Sequence, residues 1–354
     1  MELKVGEDYS IVIDAIGSGH FDWLRDRGYA GWVVIMDEET ERHCLPRIQP
    51  WLEDVPTVPI VVPAGELHKH LDTCKYIWEE MFRGGVGRRW CCLNLGGGVI
   101  GDMGGFAAAT FKRGIDFVQI PTTLLSQVDA SVGGKLGIDF FAVKNSIGLF
   151  ANPQAVWVDA GFLRTLPARE LRSGYAEIIK HALIANAGQW EEIQQIGDLD
   201  SIDWAPVITR SVDIKRRVVL EDPRERGLRK ALNFGHTIGH AVESYFLHRE
   251  DRLLHGEAIA IGMITESWLS HQLGTLGERE LADIRQYCLR TYGHQHVPES
   301  SYRELLDLMR QDKKNDGEEI NFTFLDRPGV AAVNRTATAD MITRSLNYYN
   351  TLGD

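Results

Sequence analysis

The chain of 354 residues is long enough to bury two cores, and its 44% hydrophobic and 25% charged content matches ordinary soluble globular proteins. A net charge of −12 argues against a general nucleic-acid or anionic-membrane surface, since both demand a basic face, but leaves room for a small anionic substrate if cations gather in one cleft. No apolar run approaches the roughly 18 residues of a membrane span, and the opening MELKVGEDYSIVIDAIG lacks a basic stretch followed by an apolar one, so no secretory signal is expected.

In chain order, YSIVI (9–13), GWVVIM (31–36), VPIVV (58–62), CCLNL (91–95), DFVQI (116–120) and AVWV (155–158) read as buried strands bounded by Gly, Pro or charged residues. Helical stretches alternate with them, which predicts an open parallel sheet with helices on both faces. After about residue 166 the character changes. LPARELRSGYAEIIKHALI, RKALNFGHTIGHAVESYF, GEAIAIGMITESWLSHQL and ERELADIRQYCLRTY read as helices, and strand signals almost vanish. The expected plan is an α/β, Rossmann-like domain over 1–165, an all-α domain over 166–354, and a cleft between them. The cysteines, Cys44, Cys74, Cys91, Cys92 and Cys288, are odd in number and form no C-x-x-C pair. Reduced, buried thiols of a cytosolic protein are expected, not disulfides or a thiolate zinc site.

CCLNLGGGVIGDMGGFAAATF reads as strand, glycine turn and helix, with Gly96, Gly98 and Gly101 matching G-x-G-x-x-G. Such a turn lets backbone N–H groups reach a pyrophosphate at a helix N-terminus. A glycine-rich packing turn would read the same way: the match falls at the fourth strand, and no acid stands clearly about 20 residues on. Asp102 suits a cofactor hydroxyl better than a phosphate. In SVGGK, two glycines before Lys135 bring backbone N–H groups and an ammonium to one point, the outline of a phosphate cradle.

Farther on, SGYAEIIKH offers Glu177 with Lys180 one turn along on the same face. Arg229, Asn233, His236 and His240 then follow at spacings of four, three and four. At about 3.6 residues per turn that spacing sets them along one stripe of one helix, where an apolar stripe would be usual. His236 and His240 have the spacing of the H-E-x-x-H zinc helix, but Thr237 stands beside His236 where that motif has its base. Gly235 and Gly239, each costing about 1 kcal/mol against Ala inside a helix, need a packing or site reason. A catalytic zinc takes three N or O ligands and keeps one open position, and Glu177 and His255, at the start of a small-residue helix, are further candidates. A hydrogen-bonded core histidine would read alike at any one of these positions. Arg113, Lys135, Lys144, Lys180, Lys215, Arg229, Lys313 and Lys314 sit beside glycines or polar residues in an otherwise acidic chain, which suggests a substrate carrying both carboxylate and phosphate.

GGGVIGDMGGFAAATFKRGIDFVQIPTTLLSQVDASVGGK, KNSIGLF, SGYAEIIKH, ERGLRKALNFGHTIGHA and HGEAIAIG together closely resemble the 3-dehydroquinate synthases, from about residue 63 to about 317. The first fifty or so residues match in architecture alone. The resemblance implies an NAD-binding domain, a helical metal-binding domain, a homodimer, and conversion of 3-deoxy-D-arabino-heptulosonate 7-phosphate to 3-dehydroquinate and phosphate. It implies that NAD⁺ takes a hydride from the sugar, phosphate leaves by elimination, the hydride returns, and an intramolecular aldol step closes the ring. By matching motif, Glu177, His236 and His255 stand as ligands to Zn²⁺ or Co²⁺. Glu225, His240 and Lys180 stand at catalytic positions, so the second imidazole of the stripe is not a ligand. Arg113, Asp129, Lys135, Asn145, Lys180, Lys215, Arg229, Asn233, His240 and Lys314, the last favoured over Lys313, match substrate positions. Asp37, Glu66, Lys69, Gly97, Gly98, Val99, Asp102, Thr122, Thr123, Lys144, Phe162 and Thr165 match cofactor positions. Leu136 departs from the pattern, where Thr commonly follows the lysine, and the segment before His255 is slightly long. A metal-dependent alcohol or glycerol dehydrogenase and a sister sugar-phosphate cyclase are the competing readings. The first has no need of the phosphate-binding cations, and the second has no need of Arg229, Asn233 and His240 together. A catalytically dead binding module is disfavoured, since no ligand or cation position looks eroded.

Overall fold

A computed structural model describes residues 1–141, 143–311 and 320–353; Lys313 and Lys314 lie outside the described residues. The chain forms two compact units, Met1–Pro167 with Asp203–Arg216, and Ala168–Ile202 with Arg217–Asp354.

The strands of the first unit are β1 (Glu2–Val5), β2 (Tyr9–Ile13), β3 (Gly31–Asp37), β4 (Thr57–Val62), β5 (Trp90–Gly96), β6 (Asp116–Pro121), β7 (Lys135–Phe140), β8 (Val143–Phe150) and β9 (Ala155–Val158). Its helices are α1 (Ser18–Asp26), α2 (Glu38–His43), α3 (Leu45–Ile48), α4 (Leu71–Arg83) and α5 (Gly98–Thr110). One sheet runs β1-β2-β9-β6-β5-β3-β4, parallel except for the β1/β2 pair. All six expected strands lie in it, and β1 adds an edge. Successive side chains point to opposite faces, and both faces are covered: Val33 and Ile35 join a core with Ile77 and Met103, while Trp32, Val34 and Met36 join another with Phe21, Leu24 and Trp157. That is why GWVVIM is apolar without alternation. From β3 the chain steps outward to β4, then returns to β5 on the other side. Strand order therefore reverses between β3 and β5, and the carboxyl ends of those strands flank the crevice where such sheets take ligands. The β7–β8 hairpin turns Leu136 and Ile138 into the first core, and a Cβ at Gly105 of α5 would stand 2.5 Å from Leu136 Cδ2. The leucine that departs from the family pattern is thus a packing residue.

The second unit holds α6 (Ala168–Ala185), α7 (Ala187–Gln194), the end of α8 (Trp204–Glu221), α9 (His236–Phe246), α10 (His255–Gln272), α11 (Glu278–Tyr292), α12 (Tyr302–Gln311) and α13 (Ala339–Asn350). An antiparallel pair, β10 (Ile320–Arg327) with β11 (Val330–Ala337), corrects the expectation of an all-α domain. Its signal was the alternation of Ile320, Phe322 and Phe324, all buried.

The expected polar helix is also corrected. Leu228–Asn233 is a 3₁₀ turn, Phe234 is extended, Gly235 adopts φ +77°, and α9 begins only at His236. Arg229 and Asn233 therefore do not share a helical stripe with the imidazoles. Gly235 is not inside a helix but caps one in the left-handed region that glycine enters without strain. The glycines serve close approach: a Cβ at Gly239 would lie 3.1 Å from Ala258 O, and one at Gly262 would lie 1.8 Å from Gly235 O.

The contact at Gly262 is backbone against backbone, so no flexible side chain can yield. Gly262→Ala should lower stability by about 2 kcal/mol or more, read as the chemical-denaturation midpoint. Gly188→Ala in α7, whose new Cβ meets only Asn186 Oδ1 at an ordinary 3.7 Å, should leave the midpoint unchanged or raise it. Equal behaviour of the two variants would refute the close-packing account.

Candidate functional site

In the second unit, α6 is buried along most of its length, and Glu177 and Lys180 lie three residues apart on one face with neither side chain exposed. Lys180 Nζ pairs with Glu177 Oε2. That leaves Oε1, which His236 Nε2 from the first residue of α9 and His255 Nε2 from the first residue of α10 each approach to 3.3 Å. Ligands about 2.0–2.1 Å from one zinc in a tetrahedron lie about 3.3 Å from each other. Oε1 thus stands from both imidazoles at the separation a shared ion would impose, and the donor set of one carboxylate and two imidazoles suits zinc or cobalt. The other ring edges are anchored. His236 Nδ1 lies 3.0 Å from Phe234 O, which can only accept, and His255 Nδ1 lies 3.2 Å from Glu243 Oε2. Both anchors turn Nε2 inward. His240, one turn along α9, has its ring centroid 4.9 Å from that of His236, and ligand atoms of His236, His240 and His255 fall within 4.8 Å of one another.

Burial opposes charge at Glu177, but Lys180 and His236 outweigh it and hold the carboxyl well below its usual range. Burial and the Lys180 ammonium hold His236 below an ordinary imidazole. Burial would also lower His255, yet Glu243 and Glu177 push it up to about 10. One carboxylate therefore serves an ammonium and two imidazoles, the electrostatic setting into which a dication would bring neutral rings.

Before α9, the loop 222–229 folds around Asp222, whose carboxylate accepts the N–H groups of Arg226 (2.9 Å), Gly227 (2.6 Å) and Arg229 (3.1 Å). These bonds hold the Asp222 carboxyl below its usual range although burial works the other way. Glu225 sits at φ +56° and accepts from Asn233 Nδ2 at 2.7 Å, while buried Arg229 donates from Nη1 to Pro223 O at 2.8 Å.

In the first unit, Gly97 caps α5 and Gly98 opens it, so the helix N-terminus follows β5 at the reversal point, with Val99 half-buried in its first turn. Asp37 ends β3, where its carboxylate accepts Thr40 N–H at 2.8 Å. Thr122 follows β6 and donates N–H to Gly96 O at 2.9 Å, and the Thr123 methyl would meet a Cβ at Gly97 at 3.1 Å. Buried Lys69 donates to Asp102 Oδ2 at 2.7 Å and to Asn145 Oδ1 at 2.6 Å, and Lys144 lies 3.6 Å from Glu66. Burial raises the Asp102 carboxyl against the opposing pull of Lys69. The structure thus brings Asn145, matched to substrate, against two residues matched to cofactor. Lys215 donates to both Oδ1 and O of Asp129 at 2.6 Å. Thr165 Oγ1 donates to the carbonyl of buried Phe162 at 3.3 Å, and Arg113 and Lys135 are exposed, the first at φ +71°.

Sequence reasoning missed Glu243, Glu266 and Asp222. Glu243 was within reach: 236, 240 and 243 continue one helical face. Glu266 acts across the fold on backbone groups 28 and 31 residues away, for which no local pattern exists, whereas Asp222 acts locally, on N–H groups four to seven residues on.

The comparisons agree in direction. Residues 59–173 match the family model of the 3-dehydroquinate synthase N-terminal region and residues 174–315 that of its C-terminal region. A 3-dehydroquinate synthase of Parabacteroides distasonis is 42% identical over 335 residues, covering 93% of this chain and 94% of that one. One from Acinetobacter baylyi is 42% identical over 286 residues, covering 80% of this chain and 78% of that one. Among solved structures, 2-epi-5-epi-valiolone synthase from Streptomyces hygroscopicus subsp. jinggangensis, with NAD⁺ and Zn²⁺ bound, superimposes with a TM-score of 0.87 at 28% identity over 97% of each chain. A glycerol dehydrogenase from Schizosaccharomyces pombe, at 14% identity and a TM-score of 0.61 over 95% of this chain and 87% of that one, shares the fold.

Lys69→Met would leave the partly buried Asp102 carboxylate without its ammonium, a loss of about 1–3 kcal/mol. Adding Asp102→Leu should return most of it. Urea denaturation of the single and double variants reads both, and additive losses would show that the pair is not coupled.

Proposed function

The chain belongs to the 3-dehydroquinate synthase family, and from that premise we propose how its own residues eliminate phosphate from 3-deoxy-D-arabino-heptulosonate 7-phosphate and close the 3-dehydroquinate ring. The observation that carries the reading is the convergence of His236 and His255 on Glu177 Oε1 at 3.3 Å each, with both Nδ1 edges anchored. Glu177, His236 and His255 would hold Zn²⁺ or Co²⁺. The α5 N-terminus at Gly97, Gly98 and Val99 would hold the NAD pyrophosphate, with Asp37 at the end of β3 on a ribose hydroxyl and Glu66, Lys69, Asp102, Thr122, Thr123, Lys144, Phe162 and Thr165 around the rest. When bound, the metal supplies Lewis acidity and NAD a reversible hydride acceptor.

The chain's side chains do the rest. Lys180 keeps Glu177 ionised and occupies its Oε2, which leaves Oε1 on the side of the two imidazoles. Lys135, Lys215 and Arg113 bind phosphate and balance its charge as it departs, with Lys314 as a further candidate. Arg229 binds the substrate carboxylate, and Asp129, Asn145 and Asn233 hold its hydroxyls. His240, beside the ligand rings yet spared as a ligand, and Glu225, hydrogen-bonded to Asn233, move protons during ring opening and closure. The NAD-binding region spans 1–165 and the metal-binding region 166–354. We place the protein in the cytoplasm as a homodimer. The free, buried state of all five cysteines supports a reducing compartment, and no helix among the described residues is long and apolar enough to cross a membrane.

Incubation of the protein with NAD⁺, Zn²⁺ and the heptulosonate phosphate should release phosphate and 3-dehydroquinate in equal amounts while absorbance from NADH stays flat. Accumulating NADH without phosphate would instead establish a dehydrogenase. Arg229→Ala should cut kcat/KM by about tenfold to a hundredfold while atomic absorption finds the metal content unchanged. Unimpaired turnover would remove the carboxylate assignment and favour a sister cyclase.

A further inference from the structure

Both imidazoles of the metal set open helices, and α9 opens unusually. Its N-cap is Gly235, which has no side chain to cap the first N–H groups. Nothing larger fits: at φ +77°, a Cβ there would meet Met263 Cγ at 2.8 Å and Ile259 O at 3.2 Å. The Ser, Asp or Asn that ordinarily caps a helix is therefore excluded by packing. The cap comes from another helix. Glu266 of α10 is fully buried, and its carboxylate accepts Gly235 N–H through Oε2 at 2.7 Å and Ile238 N–H through Oε1 at 3.1 Å.

The first of those bonds reaches further. The Gly235 N–H belongs to the same planar peptide as the Phe234 carbonyl, and in a trans peptide the two point in opposite directions. That carbonyl receives His236 Nδ1–H at 3.0 Å. One peptide unit is thus clamped at both ends, by Glu266 on its N–H and by His236 on its C=O. We propose that Glu266 is a positioning residue for the metal site: through the Phe234–Gly235 peptide it fixes the tautomer and orientation of His236, so that Nε2 faces Glu177. This rests on the reading of Glu177, His236 and His255 as the metal ligands. Glu266 follows His255 by eleven residues, close to three turns of α10. The helix that carries one imidazole at its start therefore holds the other at arm's length.

The test is Co²⁺ titration of metal-free protein, followed by visible absorption and competition with a chelator. Glu266→Gln turns one acceptor corner into a donor facing an N–H and should weaken Co²⁺ binding about tenfold to a hundredfold, with altered d–d bands. Ser270→Ala, on the same helix, removes the hydroxyl that donates to Glu266 O and accepts Leu325 N–H. It should lower the unfolding midpoint and leave Co²⁺ affinity and spectrum intact. If His236→Ala loses Co²⁺ while folded Glu266→Gln binds it as the parent does, the clamp is overturned alone. If both bind it unchanged, the ligand reading falls and the clamp with it. Should Glu266→Gln not fold, amide exchange in the parent protein decides: a Gly235 N–H as protected as the α9 interior supports the clamp, and one exchanging at the rate of an open loop overturns it.

Discussion

The second unit depends on two helices touching backbone to backbone. Where α9 and α10 cross, Gly262 lies so close to Gly235 and Gly239 that no side chain fits between them. That contact is worth little as apolar burial, since glycine brings no side chain. Its value is positional. It draws the first residues of both helices together, and those residues are His236 and His255. The glycines that look costly inside a helical pattern are what let two imidazoles reach one carboxylate oxygen.

With the rings so placed, the polar surroundings follow from electrostatics. Glu177 is wholly buried, and a buried carboxylate without partners would protonate. Lys180 on the same helix face prevents that, and its hold on Oε2 leaves Oε1 for the rings. Each ring then needs its far nitrogen occupied to keep its orientation. Phe234 O does this for His236 and Glu243 for His255, one through backbone and one through a side chain. The two solutions differ because His255 faces a neighbouring helix, whereas His236 faces the turn that precedes its own.

How much of this was legible in the sequence depends on the range of the interaction. The six apolar runs of the first unit were readable because burial on both faces leaves a one-dimensional trace, and the glycine turn after β5 because a tight strand-to-helix turn selects its residues locally. Glu177, His236 and His255 could be singled out by residue type, yet only folding could bring residues 59 and 78 positions apart to a common oxygen. The spacing of the polar stripe fits one helix, while Gly235 breaks the chain into a 3₁₀ turn and a separate helix. Periodicity cannot see a break enforced by a neighbouring helix. The alternation of Ile320, Phe322 and Phe324 that marks β10 is short, and the helical signals on either side of the β10–β11 pair are stronger. Glu266 left no trace because it answers backbone N–H groups, which every sequence has.

The first unit meets the same problem of keeping charge ready for use, by a different route. Lys69 is buried and would shed its proton in isolation, but Asp102 and Glu66 beside it hold the ammonium above its ordinary value. Asn145 accepts from the same ammonium, and its own N–H is held by Asp139 at a left-handed backbone position. Lys69 therefore stands charged and Asn145 oriented before any ligand arrives, their partners on the protein taking the place of water. The second unit buries an acid and surrounds it with bases, and the first buries a base and surrounds it with acids. In both, the cost of desolvation is met during folding and not at the moment of binding, which is the condition for a polar group to act strongly on a substrate that enters from water.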